Sequence, residues 1–266
     1  MKKILLIGCG HMGNALLKSW VNSNIYYLTV IDPIKHNSLK QKYKNNKVKI
    51  IKSILNLNKN ISYDFIILAI KPIDFIKVIN DLSNLKLSNK TSIISVVAGK
   101  KLNILKTKFP NIKNFFRVMP NMPASIGESM NCIVSSKNCK KIKKNDVIKL
   151  FSHSGKTILL QNEDQIDMAT AISGSGPGFI FYLINAMENA AIKLGFKKHI
   201  AKTLVLETFK GSIDLILNNN LSSQELVNIV ATKGGTTEAG IKVLKKNKIN
   251  KIFIDLTRTS YKKAKD

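Results

Sequence analysis

Arginine is nearly absent from this chain. Of 43 basic residues only Arg117 and Arg258 are arginine, and with 16 acidic residues the formal net charge of +27 rests on lysine. The planar guanidinium fork is the group that clamps phosphates and reads base edges, whereas lysines dispersed among Asn and Ile fill solvated faces. No specific nucleic-acid partner is therefore expected, and the runs KKIKK (140–144) and LKKNKINK (244–251) read as wet helix faces. Cysteine is scarce as well. Cys9, Cys132 and Cys139 form no CxxC pair, which argues against a disulfide framework or a zinc site; no metal is expected, and a reduced, cytoplasmic compartment is. Long hydrophobic runs are missing: nothing approaches the ~18 apolar residues of a membrane span, and no membrane partner is expected. The opening MKKILLIGCG has its apolar stretch cut by Gly8, short of the ~7–15 residues of a signal-peptide core.

Apolar residues are present in quantity. At 266 residues and 44% hydrophobic content the chain can bury a sizeable core as one large domain or two ordinary ones. Short β-branched runs at 4–7, 28–31, 48–51, 65–70 and 92–97 alternate with amphipathic segments, which predicts a parallel, doubly wound α/β sheet with helices on both faces. From about residue 162 helical spacing takes over. Phe179, Leu183, Met187, Ala190 and Leu194 share one face with Gly195 as the stop, and Ser222 with Glu225 has capping-box spacing. The boundaries expected are a dinucleotide-binding domain over 1–161 and an all-helical domain over 162–266. The run GFIFYLINAMENAA is either a buried central helix or a dimer interface.

Directly after the first strand comes GCGHMG (8–13), a full GxGxxG opening a helix expected over 12–23. Glycines there allow a tight turn, close approach of a pyrophosphate to the backbone, and close packing of helix on strand. Ile7, Gly8, Cys9, Gly10, His11, Met12 and Gly13 are thus the expected cofactor turn, with the phosphates on free amides of the helix start. Asp32 ends the second strand. Its carboxylate either holds the 2′-hydroxyl of an adenine ribose, favouring NADH, or begins a turn with Pro33; Lys35 and His36 would suit the 2′-phosphate of NADPH. Ala69, Ile70, Lys71 and Pro72 sit where the fourth strand ends, a plausible cofactor wall.

The stretch VATKGGTTEAG (230–240) has the composition of a phosphate loop but not its order, because Lys233 precedes Gly234 instead of following a glycine. A Gly-Gly turn entering a helix still aims free N–H groups at a smaller anion. For Thr237 by itself a helix N-cap is the plainer role.

Taken in order, GCGHMG, AIKP (69–72), RVMPNMPASIG (117–127), ISGSGP (172–177) and TKGGTTEAG (232–240) resemble the pyrroline-5-carboxylate reductase family over almost the whole chain. The resemblance implies an N-terminal Rossmann-type domain for NADPH or NADH. It also implies a helical domain that interlocks with its twin, and an active site between the cofactor domain and the helical dimer. Its partners would be 1-pyrroline-5-carboxylate and a second copy, through the C-terminal helices, which a higher oligomer of dimers would extend. It places Thr237 beside the substrate nitrogen, Thr236 with Gly234 and Gly235 around the substrate carboxylate, and Ser175 and Glu163 at the substrate border. Val97, Ala98 and Asn121 fall beside the cofactor.

The chain departs from the family's pattern at Met122, where threonine is usual, at Thr232–Lys233, where Ser-Pro is usual, and at Gly178–Phe179, where Ala-Tyr is usual. A β-hydroxyacid dehydrogenase shares the glycine turn and a helical C-terminal domain, but the GGTT loop and SGSGP segment speak against it. A lysine-rich nucleic-acid binder without catalysis is the non-enzymatic alternative.

Overall fold

The computed structural model describes residues 1–57 and 62–265. The chain divides into two compact units, Met1–Ser175 with Ser260–Asp266, and Gly176–Thr259.

The first unit is built on a sheet of eight strands in the order β3-β2-β1-β4-β5-β6-β7-β8. These are β1 (Lys2–Ile7), β2 (Tyr26–Ile31), β3 (Val48–Ile51), β4 (Phe65–Leu68), β5 (Ser92–Ser95), β6 (Asn114–Met119), β7 (Ser129–Ser135) and β8 (Gly155–Leu159). All neighbours pair parallel except β6 and β7. A sheet parallel throughout was expected, and the exception has a simple cause: nine residues join Met119 to Ser129, and a parallel crossover needs about a dozen or more. Those residues form a 3-10 turn, Met122–Ile126, closed by Gly127 at φ 84°.

Helices α1 (His11–Ser23), α2 (His36–Lys42), α3 (Phe75–Ser83), α4 (Leu102–Lys108) and α5 (Lys141–Ser152) flank the sheet. Parallel strands are covered on both faces, so they are near-continuous apolar runs: Ile4–Ile7 and Phe65–Leu68 are buried throughout. Two cores result. One centres on Trp20, Phe116 and Phe151, with Trp20 Nε1 donating to Leu150 O at 2.9 Å; the other centres on Phe75, Phe115 and Ile66. Chain order reverses between β1 and β4, and such a switch point opens a crevice at the carboxyl ends of the strands. A surface cavity of about 440 Å3 lies elsewhere, at the amino-terminal part of β1–β3, lined by Lys3, Tyr27, Thr29, Lys49 and Tyr63 among others.

After the sheet come α6 (Glu163–Ala169) and a π-helical turn over Thr170–Gly174. The last residues of the chain return to α6: Tyr261 Oη donates to Asp164 Oδ1 at 2.8 Å, and Lys265 pairs with the same oxygen at 2.9 Å.

The second unit is entirely helical, with α7 (Gly176–Lys193), α8 (Lys198–Asn218), α9 (Ser223–Val230), α10 (Thr236–Lys246) and most of α11 (Ile249–Lys265). Gly195, at φ 105°, ends α7 as its position suggested, with Phe196 N donating to Ala191 O. The capping box of Ser222 and Glu225 is complete. Apolar side chains remain uncovered along α7 and just past its end, Tyr182 at 75% and Leu194 at 82% exposure, and exposed apolar surface of this kind marks an interaction face. Among the described residues no helix is long and apolar enough to cross a membrane.

Candidate active site

The crevice begins at the turn between β1 and α1. Gly8 stands at φ 90°, and a methyl group there would fall 2.4 Å from Ala69 O. At Gly13 it would fall 2.3 Å from Gly8 O, so the helix start is pressed onto the strand end with no room for a side chain. Gly10 is different. A methyl group there would meet no described atom within 4 Å, so its glycine answers to something outside the chain. Gly10 is the N-cap of α1, with no side chain capping the helix and no acid in its first turn. The amides at that end are free to hold an anion. Close packing on two sides and open space on the third fit a dinucleotide's pyrophosphate.

Asp32 follows β2 and faces inward at 8% exposure. Its Oδ2 accepts from Cys9 N at 2.8 Å, and its Oδ1 from Ile34 N at 3.0 Å and Lys35 N at 2.8 Å. Three of a carboxylate's roughly four acceptor positions thus hold the glycine turn and cap the turn after β2. Burial first, and the Asp32 charge second, push the Cys9 thiol up to about 11, while Lys35 and Lys42 pull it down. His11 is exposed and Met12 half-buried at the helix start, and in the turn after Asp32 Lys35 is exposed and His36 half-buried.

Further along the same edge Ala69 N donates to Ile7 O at 2.8 Å, and Ala69 and Ile70 are half-buried while Lys71 and Pro72 are exposed. Val97 is buried after β5, with its amide 3.2 Å from Ser95 Oγ, and Ala98 is exposed. The carboxyl ends of β1, β2, β4 and β5 therefore bring the expected cofactor residues to one edge. Asn121, past β6, is on that edge too, but its side chain is engaged: Oδ1 accepts from Met130 N at 2.9 Å and Nδ2 donates to Ser173 O at 3.0 Å.

Glu163 opens α6. Its Oε1 accepts from Leu102 N at 2.8 Å, capping α4, and from Arg117 Nη1 at 3.2 Å. Arg117 Nη2 meets Asp167 Oδ1 at 2.8 Å, with Arg117 and Asp167 at 3% and 4% exposure. This buried fork was not anticipated from sequence, and the signal for it was the scarcity of arginine itself. In a chain that uses lysine almost everywhere, position 117 needs a planar group reaching two carboxylates at once. Ser175, half-buried, donates its amide to Thr170 O at 2.8 Å and so closes the π-turn.

In the helical unit, Gly234 stands at φ 76° and Gly235 N donates to Thr232 O at 2.9 Å. Free glycine amides were expected here. Instead Gly234 N donates to Glu238 Oε2 at 2.9 Å, which holds the Glu238 carboxyl below its ordinary range. The loop closes on itself as a turn, and the unpaired amides begin one residue later, at Thr236 and Thr237, the first positions of α10. Both threonines are exposed.

Residues 163–266 match the family model for pyrroline-5-carboxylate reductase dimerisation, and residues 3–99 match that for NADP oxidoreductase, coenzyme F420-dependent. Pyrroline-5-carboxylate reductase 2 of Bacillus subtilis is 30% identical over 274 residues, covering 99% of this chain and 94% of the relative. The chain belongs to the pyrroline-5-carboxylate reductase family. The reductase of Haemophilus influenzae is 31% identical over 91% of this chain and 89% of its own length. Among solved structures, pyrroline carboxylate reductase of Plasmodium falciparum with NADP bound superposes with a TM-score of 0.85 at 28% identity, covering 99% of this chain and 97% of that one. A Coxiella burnetii pyrroline-5-carboxylate reductase gives 0.87 at 27% identity, with 99% and 97% covered. The fold is accordingly an α/β sheet of Rossmann type followed by the family's helical dimerisation domain.

Proposed function

We propose that this chain reduces 1-pyrroline-5-carboxylate to L-proline with NADPH or NADH, the last step of proline biosynthesis. The observation that carries the proposal is the full-length match to reductases of this family, joined to a glycine turn whose one open side is at Gly10.

When bound, the reduced nicotinamide supplies the hydride that C5 of the imine accepts. The chain's own residues do the rest. Amides of Gly10, His11 and Met12 hold the pyrophosphate, with Ile7, Gly8, Cys9 and Gly13 shaping the turn. Asp32 holds that turn through Cys9 N and keeps one acceptor position for a ribose hydroxyl, while Lys35 and His36 suit a 2′-phosphate. Ala69, Ile70, Lys71 and Pro72 with Val97 and Ala98 wall the nicotinamide half. The amides of Thr236 and Thr237, on the turn shaped by Gly234 and Gly235, receive the substrate carboxylate, and Ser175 and Glu163 border the substrate. The Thr237 hydroxyl donates to the ring nitrogen as it changes from imine to amine. Such a step needs placement more than a strong acid, since the imine arrives protonated or takes its proton through a hydroxyl or water.

By function the chain divides into 1–161 for the cofactor and 162–266 for substrate and dimerisation, in keeping with the family match over 163–266, although α6 and the last residues of α11 pack with the sheet unit. The enzyme works as a homodimer through the C-terminal helices, with assembly of dimers into a larger oligomer as a further step, and it is cytoplasmic. The test is oxidation of NAD(P)H that depends on 1-pyrroline-5-carboxylate and yields L-proline. A folded, cofactor-bound protein that yields none overturns the proposal.

A further inference from the structure

Ser173 lies in the π-turn that leads into α7. In a helix its carbonyl would accept the N–H of residue 177, but Pro177 has none. Asn121 supplies a donor in its place, Nδ2 to Ser173 O at 3.0 Å. The orientation of the amide is fixed by its other end: Met130 N donates to Oδ1 at 2.9 Å, and Ser129 Oγ lies 3.2 Å from the same oxygen. Nδ2 is therefore the end that faces Ser173. Asn121 is itself anchored, its N–H donating to Ser129 Oγ at 3.1 Å. The turn is also pressed against the neighbouring strand β6, since a methyl group at Gly174 would fall 2.9 Å from Met119 Cε. Below it, Arg117 on β6 grips Glu163 and Asp167 on α6.

We infer that Asn121 is a positioning residue, acting as a latch that holds the turn Thr170–Ser175 in register with the cofactor edge of the sheet. The inference rests on the reductase reading only in that Ser175 borders the substrate; the latch itself is a claim about the turn. Both ends of the amide are engaged inside the protein, one Nδ2 hydrogen on Ser173 O and Oδ1 on Met130 N, and the NADPH affinity of the variant below separates this role from a cofactor contact.

Asn121→Asp isolates the latch. A carboxylate keeps the acceptor for Met130 N but sets an oxygen against Ser173 O, so the donor is lost and a repulsion is added. Amide hydrogen exchange across residues 170–176 of the full chain is expected to quicken about tenfold or more. In turnover, kcat/KM for the imino acid falls about tenfold or more, while the Kd for NADPH stays within twofold. Pro177→Ala, which gives residue 177 an N–H, restores much of the protection in the Asn121→Asp background. Asn121→Ser serves with the same readings if the aspartate variant does not fold. Unchanged exchange at 170–176 overturns the latch, and so does NADPH affinity that weakens in step with kcat/KM. Exchange needs no turnover, so an inactive wild type would defeat the reductase reading and leave the latch testable.

Discussion

Exchanging Gly10 and Gly13 separately for alanine divides what the glycine turn does for the fold from what it does for a cofactor. At Gly13 the new methyl lies 2.3 Å from Gly8 O and 3.3 Å from Ala69 Cβ. A carbon that close to a carbonyl oxygen must move by about an ångström, against a backbone at the end of β1 that β2 and β4 flank on its two sides. Overpacking of this kind costs about 1–3 kcal/mol or more, or roughly 2–12 °C in Tm for a chain of this size. At Gly10 the backbone is at φ −65° and ψ −155°, open to any residue, and the methyl touches nothing. Exchanging a glycine N-cap for alanine costs up to about 1 kcal/mol, and the stiffer unfolded chain returns about 0.4–1 kcal/mol. Stability of Gly10→Ala should stay within about 1 kcal/mol of wild type. Its NADPH affinity, measured by titrating cofactor fluorescence, should fall at least about tenfold, or 1.4 kcal/mol, because the methyl fills the space kept for the pyrophosphate. Gly13→Ala should lose both. Wild-type affinity in Gly10→Ala refutes the assignment of this turn to the phosphates.

Further expectations follow from other contacts. Arg117→Ala strands Asp167 as an unpaired buried acid, a loss of about 3–5 kcal/mol; thermal unfolding should show a large drop, and Arg117→Lys, unable to fork, should fall between. Asp32→Ala releases Cys9 N, Ile34 N and Lys35 N together, so both NADH and NADPH should bind more weakly. Any additional loss for NADH in the same titration measures the ribose contact. The buried Cys9 thiol ionises near 11 when folded and near 9 when exposed, so its contribution to stability is complete below pH 9 and lost as pH rises through 11. Wild type should therefore lose more Tm than Cys9→Ala between pH 8 and pH 10.5.

The parts of the fold that repeat locally were legible in sequence. Ile4–Ile7 and Phe65–Leu68 announce buried parallel strands by unbroken apolar runs, GCGHMG states its own turn, and Gly195 marks a helix stop. Strands β6, β7 and β8 were not singled out, because Asn114, Arg117, Asn131 and Lys156 interrupt the apolar pattern with side chains whose partners are distant. Arg117 meets Asp167 across 50 residues and Asn121 meets Ser173 across 52, and no window of local periodicity sees such pairs. The site divided the same way. Residue types around the glycine turn and the GGTT loop pointed to anions, but which amides are free depended on Asp32 turning inward and Glu238 folding back to Gly234.

The central claim is that Thr237 serves an imine reduction whose hydride comes from NAD(P)H. Its most direct test compares wild type and Thr237→Ala in a coupled assay of NAD(P)H loss and L-proline gain. Wild type should form one L-proline for each NAD(P)H oxidised, and the variant should keep its cofactor affinity and thermal stability while kcat falls. Unchanged kcat with lowered Tm would make Thr237 a structural residue only. No L-proline from folded, cofactor-bound wild type would contradict the account as a whole.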